Sequence, residues 1–171
     1  MPKIPCKKPI GSTKAGSVNF WTPEEYALFI DQCRDDIKFY TAFEILYYTG
    51  MRKGKMLALT LKDTDFTENK ISITKTRYRV AGKHLTNPPK TGSGERVVDI
   101  PEFLTEEIKE YISHLYKPGP EQLFEITADQ LRRVMLRRIQ QAGVKQIRVH
   151  DLRHSHASLL NNLGGEPGIA C

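Results

Sequence analysis

The spacing of apolar residues changes twice along this chain of 171 residues. From Trp21 to Thr49, and again beyond residue 105, apolar positions recur every three or four residues, which is typical of helices. Between residues 71 and 100 they occur instead in short β-prone runs. The chain therefore has helical flanks and a β-rich middle.

Capping residues and glycines set the predicted helix ends. Thr22 is a good N-cap, Pro23 suits the first helical position, and Glu25 completes a capping box. Gly50 and Gly143 are suited to end helices. The pattern predicts helices over Pro23 to about Cys33, Ile37–Thr49, Gly54–Leu59, about Thr105–Tyr116, Thr127–Ala142, and from near Asp151 to Gly164.

The middle of the chain predicts a small sheet. Strands are expected around 71–73 and 97–100, with a turn at residues 68–70. Between them, residues 78–95 form a long polar segment that we interpret as an extended basic hairpin. The predicted fold is α+β, mainly helical, with a small antiparallel sheet and a basic β-hairpin.

Composition indicates one globular domain. Hydrophobic residues make up 39% and charged residues 27% of the chain, and no apolar run approaches the ~18 residues of a membrane span. Residues 1–20, rich in Lys, Pro, Gly and Ser, are predicted to be a linker, and residues 21–171 a folded domain. The basic N-terminus has no apolar stretch behind it, so we expect no signal peptide and a cytoplasmic protein. Cys6, Cys33 and Cys171 are too scattered for a disulfide framework or a metal cluster.

Charge favours a polyanionic partner. The net charge is +6, and the pI is about 9.2. Basic residues outnumber acidic ones between Arg52 and Arg96, and a second, acid-free basic stretch runs from Arg132 to Arg148. Such clusters indicate nucleic acid first and an anionic membrane surface second.

Three segments carry candidate chemistry. In Thr49–Gly54, Arg52 follows a helix-ending glycine and can meet an anion, although a solvated arginine is the simpler interpretation of this segment alone. In the segment 87–96, Lys90 lies on a glycine-flanked hairpin tip, although a flexible basic loop is the simpler interpretation. In the segment 150–157, His150 and Arg153 lie one helical turn apart. An imidazole can transfer protons, and a guanidinium can bind two phosphate oxygens.

Two ligand sites are not expected. The glycine-rich run around Lys90 lacks the order of a nucleotide-binding loop, and no helix follows it. His150, His154 and His156 lack the spacing of a zinc helix and a supporting carboxylate beyond Asp151, so no metal site is predicted.

Taken together, the segments Thr-Gly-Met-Arg-Lys-Gly, Pro-Lys-Thr-Gly-Ser-Gly-Glu-Arg and His-Asp-Leu-Arg-His-Ser-His-Ala resemble the tyrosine recombinase, or phage integrase, family in order and spacing. The resemblance covers about Thr22 to Leu163 and implies the catalytic domain of a site-specific DNA recombinase from a mobile element. Lys55 departs from the family, which usually has an acidic residue there. The family's nucleophilic tyrosine is also missing, because all seven tyrosines precede His150.

The resemblance implies a set of roles. Arg52 and Arg153 would stabilise the phosphate, His150 would assist proton transfer, and Lys90 would be the general acid, with no metal and no cofactor. The DNA-binding residues would be Arg77, Arg79, Lys83, Arg96 and His154. The partner would be double-stranded DNA, cut through a 3′-phosphotyrosyl intermediate by a tetramer of the full-length protein. The chain alone would be an inactive monomer, C-terminally incomplete.

Three other functions stay open. The same fold could serve as a DNA-binding remnant or regulator without catalysis. A metal-dependent nuclease would need an Asp/Glu cluster that the sequence does not offer. A basic RNA-binding protein would need the aromatic-rich strands of the common RNA modules.

Overall fold

The computed structural model describes residues 19–87, 95–115 and 122–164. These residues form six α-helices, two short 3₁₀ turns and five strands in two separate sheets. The helices are α1 Pro23–Asp31, α2 Ile37–Thr49, α3 Lys53–Met56, α4 Glu102–Ser113, α5 Ala128–Ala142 and α6 Leu152–Asn162. The strands are β1 Thr64–Asp65, β2 Lys70–Ile73, β3 Thr76–Val80, β4 Lys83–Asn87 and β5 Arg96–Asp99.

The first two helices begin and end close to the positions predicted from their caps. Thr22 and Glu25 form the expected capping box, with Thr22 Oγ1 accepting from the Glu25 N–H. Gly50 ends α2 in a left-handed conformation, with φ of 59°, which a glycine adopts without strain. Local sequence therefore determines both the length of α2 and the direction in which the chain leaves it.

Helix α2 is the centre of the domain. Nine of its thirteen residues are buried, and it packs against α1, α3, α4 and α6. Trp21, at the start of the fold, is fully buried and donates its backbone N–H to Ser155 Oγ at 2.9 Å. Its indole N–H donates to the Lys145 carbonyl. The first of these hydrogen bonds fixes the start of the folded domain to α6.

The predicted small sheet is present and is antiparallel, in the order β1-β2-β5. Ile71 lies opposite Val98, and Ile71 and Ile73 are buried while Ser72 between them is partly exposed. Strand β1 is only two residues long, and sequence analysis missed it because such a short run carries no alternation.

The predicted basic hairpin is a sheet of its own, inserted between β2 and β5. Strands β3 and β4 pair antiparallel around Ala81 and Gly82, which both have positive φ, as two-residue hairpin turns require. The segment 88–94, which includes Lys90, lies outside the described residues. The hairpin is attached to the domain through α3: a Cβ on Gly54 would lie 2.8 Å from the Arg77 carbonyl oxygen.

The remaining helices are present as predicted, but some of their ends differ. Helix α4 starts at Glu102, three residues earlier than expected, because Pro101 takes the N-cap position. Helix α3 ends earlier than expected, at Met56. Helix α5 has a Thr127–Gln130 capping box and ends at Gly143, as its sequence indicates. Among the described residues, no helix is both long and apolar enough to cross a membrane.

Candidate active site

The turn after α2 positions Arg52. Thr49 donates its hydroxyl to the Ile45 carbonyl at 2.6 Å, and the Met51 N–H donates to the same Thr49 oxygen. Gly50 then reverses the chain, and Arg52 takes the N-cap position of α3 with its side chain exposed. The side chain that the sequence proposes as a phosphate ligand is therefore free to meet a ligand at a rigid helix junction.

The entry to α6 positions His150 and Arg153. The Asp151 carboxylate is 2% exposed and accepts from the backbone N–H, Nε and Nη2 of Arg148 at 2.9 to 3.0 Å. These hydrogen bonds hold the pKa of Asp151 below its usual value, so the carboxylate remains charged. They brace the 3₁₀ turn Val149–Asp151, which leads directly into α6. Sequence reasoning gave Asp151 no such role.

Three arginines from distant segments lie close enough at this junction for their charges to act on one another, and we call them the arginine cluster: Arg52, Arg96 and Arg153. Burial, followed by the charges of Arg52 and Arg96, lowers the pKa of the half-buried Arg153. None of the three forms an ion pair with a described residue. Like charges held together without acids favour a polyanionic ligand.

Lys55 belongs to the same neighbourhood. Its backbone N–H donates to the Arg52 carbonyl, and its side chain is half-buried. Burial lowers the pKa of Lys55, and the charges of the arginine cluster lower it further. The residue that departs from the family pattern thus adds a cation where the family usually has an acid.

His150 lies at the edge of this cluster with an exposed side chain. Burial of part of the ring, followed by the charge of Arg153, lowers the pKa of His150, which favours a neutral ring able to accept a proton. The rings of His150 and His154 are 6.2 Å apart and nearly perpendicular. No group of three His, Cys, Asp or Glu side chains placed for a metal occurs within residues 19–87, 95–115 and 122–164.

A cavity of about 360 Å³ adjoins His150. Its floor is apolar, with Met135, Leu136, Ile147 and Val149, and its rim carries basic side chains. The basic residues of the rim are Lys53, Arg132 and Arg148.

The arginines of the hairpin lie apart from the arginine cluster. Arg77 Nη1 donates to Gln122 Oε1 at 2.6 Å, and Arg79 lies 3.7 Å from Asp129. Lys83 and His154 are exposed. Of the predicted DNA-binding residues, the structure therefore places Arg96 near Arg52 and Arg153, whereas Arg77 contacts Gln122 ahead of α5 and Arg79 pairs with Asp129 in its first turn.

Two further predictions concern Lys90 and the nucleophilic tyrosine. Lys90 lies outside the described residues. The described tyrosines of α1, α2 and α4 belong to the core, where burial raises the pKa of Tyr111 to about 12 and raises that of Tyr26 as well. A phenol in such surroundings resists ionisation, which is the opposite of what a nucleophile needs.

Sequence comparison identifies the family. The sequence model described as "Phage integrase family" matches residues 19–169. The chain is 31% identical to the ICEBs1 integrase of Bacillus subtilis over 162 residues, which are 86% of this chain and 44% of that protein. It is 29% identical over 131 residues to the tyrosine recombinase XerC of Corynebacterium glutamicum, covering 72% of this chain and 38% of that protein. The chain thus spans less than half the length of these relatives.

Solved structures agree with this on the fold. The Tn1549 transposon integrase in complex with a circular intermediate DNA superposes with a TM-score of 0.77 at 22% identity, covering 91% of this chain and 57% of that one. The XerA recombinase superposes with a TM-score of 0.69 at 20% identity, covering 86% and 52%. The described helices and sheet are therefore those of a tyrosine recombinase catalytic domain. With the three motifs in family order and Arg52, Arg96 and Arg153 at one junction, the chain belongs to the phage integrase family.

Proposed function

We propose that this chain acts in site-specific DNA recombination of a mobile element, as a catalytic domain that binds and activates one DNA phosphate. The observation that carries the proposal is the arginine cluster, whose positive charges have no acidic partner among the described residues and lie beside His150. Its relatives are named as integrases and recombinases, and structures of such proteins in complex with DNA share its fold.

The chemistry is a transesterification without a cofactor. A tyrosine attacks the scissile phosphate and forms a 3′-phosphotyrosyl bond while the 5′-oxygen leaves with a proton, and a second DNA strand reverses the step. Arg52 and Arg153 stabilise the negative charge that develops on the phosphate oxygens. His150 assists proton transfer, and Lys90 protonates the leaving oxygen.

The nucleophile is the component that the 171 residues do not offer. All seven tyrosines precede His150 in the sequence, and the described ones of the core are buried. We infer that the attacking tyrosine comes from outside these 171 residues, in the intact protein or in another subunit. The recombining form would be a tetramer assembled on double-stranded DNA, and this chain alone a monomer located in the cytoplasm.

Surface cations complete the DNA site. Arg96, Lys83 and His154 are exposed, and Arg77 and Arg79 exchange their polar partners Gln122 and Asp129 for DNA phosphates when the duplex binds. Binding that depends on phosphate contacts weakens steeply with salt. The logarithm of the association constant falls linearly with the logarithm of the salt concentration, with a slope of about −0.9 for each contact. A salt-dependent affinity for duplex DNA is therefore expected of the isolated chain.

Arg153→Ala tests the proposal in the intact gene product that contains this chain. We expect covalent protein–DNA adduct formation on a nicked duplex to fall by about two to three powers of ten, because one charged donor to the phosphate is lost. DNA binding in a gel-shift assay should remain measurable. Arg34→Ala is the matched control, since Arg34 is exposed and bonds Asp31. Undiminished adduct formation by Arg153→Ala would contradict the site.

A non-catalytic DNA-binding role is the second candidate, and Lys55 is the observation that favours it. A lysine replaces the acid usual in the family, within the arginine cluster itself. If the unaltered gene product binds duplex DNA but forms no covalent adduct, this second role is correct.

A further inference from the structure

His156 contacts the turn that carries Arg52. A Cβ added to Gly50 would lie 2.5 Å from His156 Cδ2 and 3.0 Å from Cγ, so the imidazole rests on the bare backbone of this glycine. Gly50 is buried and ends α2, two residues before Arg52. The absence of a side chain at Gly50 therefore serves two purposes, the left-handed turn and the seat of the ring.

His156 is also tied to Arg153. The two residues are three apart on α6, and side chains at this spacing lie on neighbouring parts of one helix face. The ring therefore lies where α6, which carries Arg153, packs on the end of α2, which aims Arg52. A change in the distance between α6 and the end of α2 would therefore change the separation of Arg52 and Arg153.

The ring is neutral in these surroundings. His156 Nδ1 is buried without a hydrogen-bond partner among the described residues. Burial lowers the pKa of His156, and the charges of Arg96 on β5 and Arg153 on α6 lower this pKa further. A hydrogen bond to the Tyr47 backbone of α2 acts in the opposite direction and raises it. A protonated ring would place another positive charge against two arginines and leave a buried N–H without an acceptor.

We propose that His156 is a positioning residue, a neutral ring wedged between Gly50 and α6 that holds Arg52 and Arg153 at the separation needed to bind one phosphate. The proposal rests on the function proposed above. It assigns His156 no contact with DNA, since the ring acts through the two helices that it separates.

Sulfate binding to the isolated chain tests the wedge. Sulfate keeps its charge between about pH 5 and about pH 8, so only the protein titrates. In the wild type we expect the Nε–H resonances of Arg52 and Arg153 to shift in NMR spectra with one common Kd. His156→Ala should weaken this Kd about tenfold, because one of two charged hydrogen bonds is lost when the arginines separate. His156→Phe, which keeps an aromatic ring against Gly50 but loses the hydrogen bond to Tyr47, should stay much closer to the wild-type Kd than His156→Ala.

Two comparisons separate positioning from general damage. Gly50→Ala should weaken sulfate binding less in the His156→Ala background than in the wild type, because the clash at 2.5 Å is then absent. Between about pH 6 and about pH 8, His156→Phe should bind sulfate with the same pH dependence as the wild type, because a neutral ring contributes no charge, whereas loss of a charged His156 would weaken binding at the lower pH. His114→Ala, at the exposed end of α4, is the control and should change neither result.

The outcomes are distinct. If the wild type binds sulfate through both arginines and His156→Ala, shown to be folded by its thermal melt, binds equally well, the inference is wrong. The same holds if His156→Phe is as weak as His156→Ala. If wild-type Arg52 and Arg153 do not respond to sulfate together, the phosphate site of the proposed function is contradicted instead.

Discussion

Two groups of like charges lie at α2, and the repulsion within each group is relieved in a different way. Beyond its C-terminal end, the arginine cluster of Arg52, Arg96 and Arg153 has no acidic partner among the described residues. Within the helix, Glu44 meets Glu107 of α4, and we call these two the acid pair. Both groups bring together charges that repel each other.

The acid pair is relieved from inside the protein. Glu44 is 4% exposed, and it accepts a 2.6 Å hydrogen bond from the Tyr26 hydroxyl, while Glu107 accepts one from Tyr40. Burial raises the pKa of Glu44 to about 7, and the nearby Glu107 charge contributes to this rise. Glu107 Oε2 is buried without a donor unless Glu44 keeps its proton. Below the raised pKa of Glu44, a proton on this side chain removes the repulsion between the two carboxyl groups at the contact between α2 and α4.

The arginine cluster lacks this option, because a guanidinium does not lose its proton in a protein. Its repulsion is relieved by solvent or by a bound anion. A buried pair of carboxyl groups can thus be a structural feature, whereas a cluster of guanidinium groups without acids is a binding site. The difference lies in the proton chemistry of the two side chains, and three substitutions test it.

Replacing Arg52 by Ala should have the largest effect, and on activity alone. Covalent adduct formation by the intact gene product should fall by about two to three powers of ten, because a donor to the transition-state charge is lost. The midpoint of thermal unfolding should not fall, because Arg52 repels Arg153 and forms no ion pair among the described residues. Lys109→Ala, which removes an exposed cation of α4, is the control. A marked loss of stability in Arg52→Ala would show that the cluster is structural.

The acid pair should make stability depend on pH, and Glu44→Gln should remove that dependence. The folded pKa of Glu44, about 7, lies above its usual value of 4.5, so the folded state binds this proton more tightly. The stabilisation is complete below the unfolded pKa and is lost as pH rises through 7. Between about pH 5 and about pH 8, the free energy of unfolding should fall by about 2 to 3 kcal/mol.

Urea titrations across this pH range measure the effect. Glu44→Gln should abolish the fall in the free energy of unfolding and leave the opposite effect of His150 and His156, whose lowered pKa values favour the fold as pH rises. Glu110→Gln, an exposed acid on α4, should keep the wild-type slope. If the wild type and Glu44→Gln show the same pH dependence, Glu44 is ionised in the fold and the contrast with the arginine cluster disappears.

Tyr26→Phe should have the smallest effect. The substitution keeps the stacking on Tyr47, at 3.5 Å between ring centres, and removes only the hydroxyl that donates to Glu44. We expect a loss of about 1 kcal/mol in the free energy of unfolding, larger at about pH 8 than at about pH 5, because ionised Glu44 depends more on this donor. Tyr78→Phe, on the exposed hairpin, is the matched control. An equal loss at both pH values would show that Glu44 does not titrate there.

Most helix boundaries could be read from the sequence because the signals are local. The Thr22–Glu25 capping box and the glycine at position 50 act within four residues, so they are effective wherever the helix packs. The short strand β1 and the early start of α4 were missed, since two strand residues carry no period and a proline N-cap is not a strong sequence signal.

The site was predictable in part, for the same reason. Arg52, His150 and Arg153 lie in motifs whose residue order survives in a linear sequence, and the resemblance to the integrase family identified them. Nothing local distinguishes Arg96 from Arg77 or Arg79, yet only Arg96 acts on Arg153, while the hairpin arginines contact Gln122 and Asp129. Because the prediction used charge alone, it assigned Arg77, Arg79 and Arg96 to the same DNA-binding surface.

The sequence by itself predicted the family, most of the helix boundaries, and the residues that we propose bind a phosphate. The tertiary structure decided which cations act on one another, that burial raises the pKa of Glu44, and that His156 rests on Gly50. The physical reason is distance along the chain. Caps and helical periodicity arise between residues a few positions apart, whereas desolvation and the repulsion of like charges depend on which remote segments pack side by side.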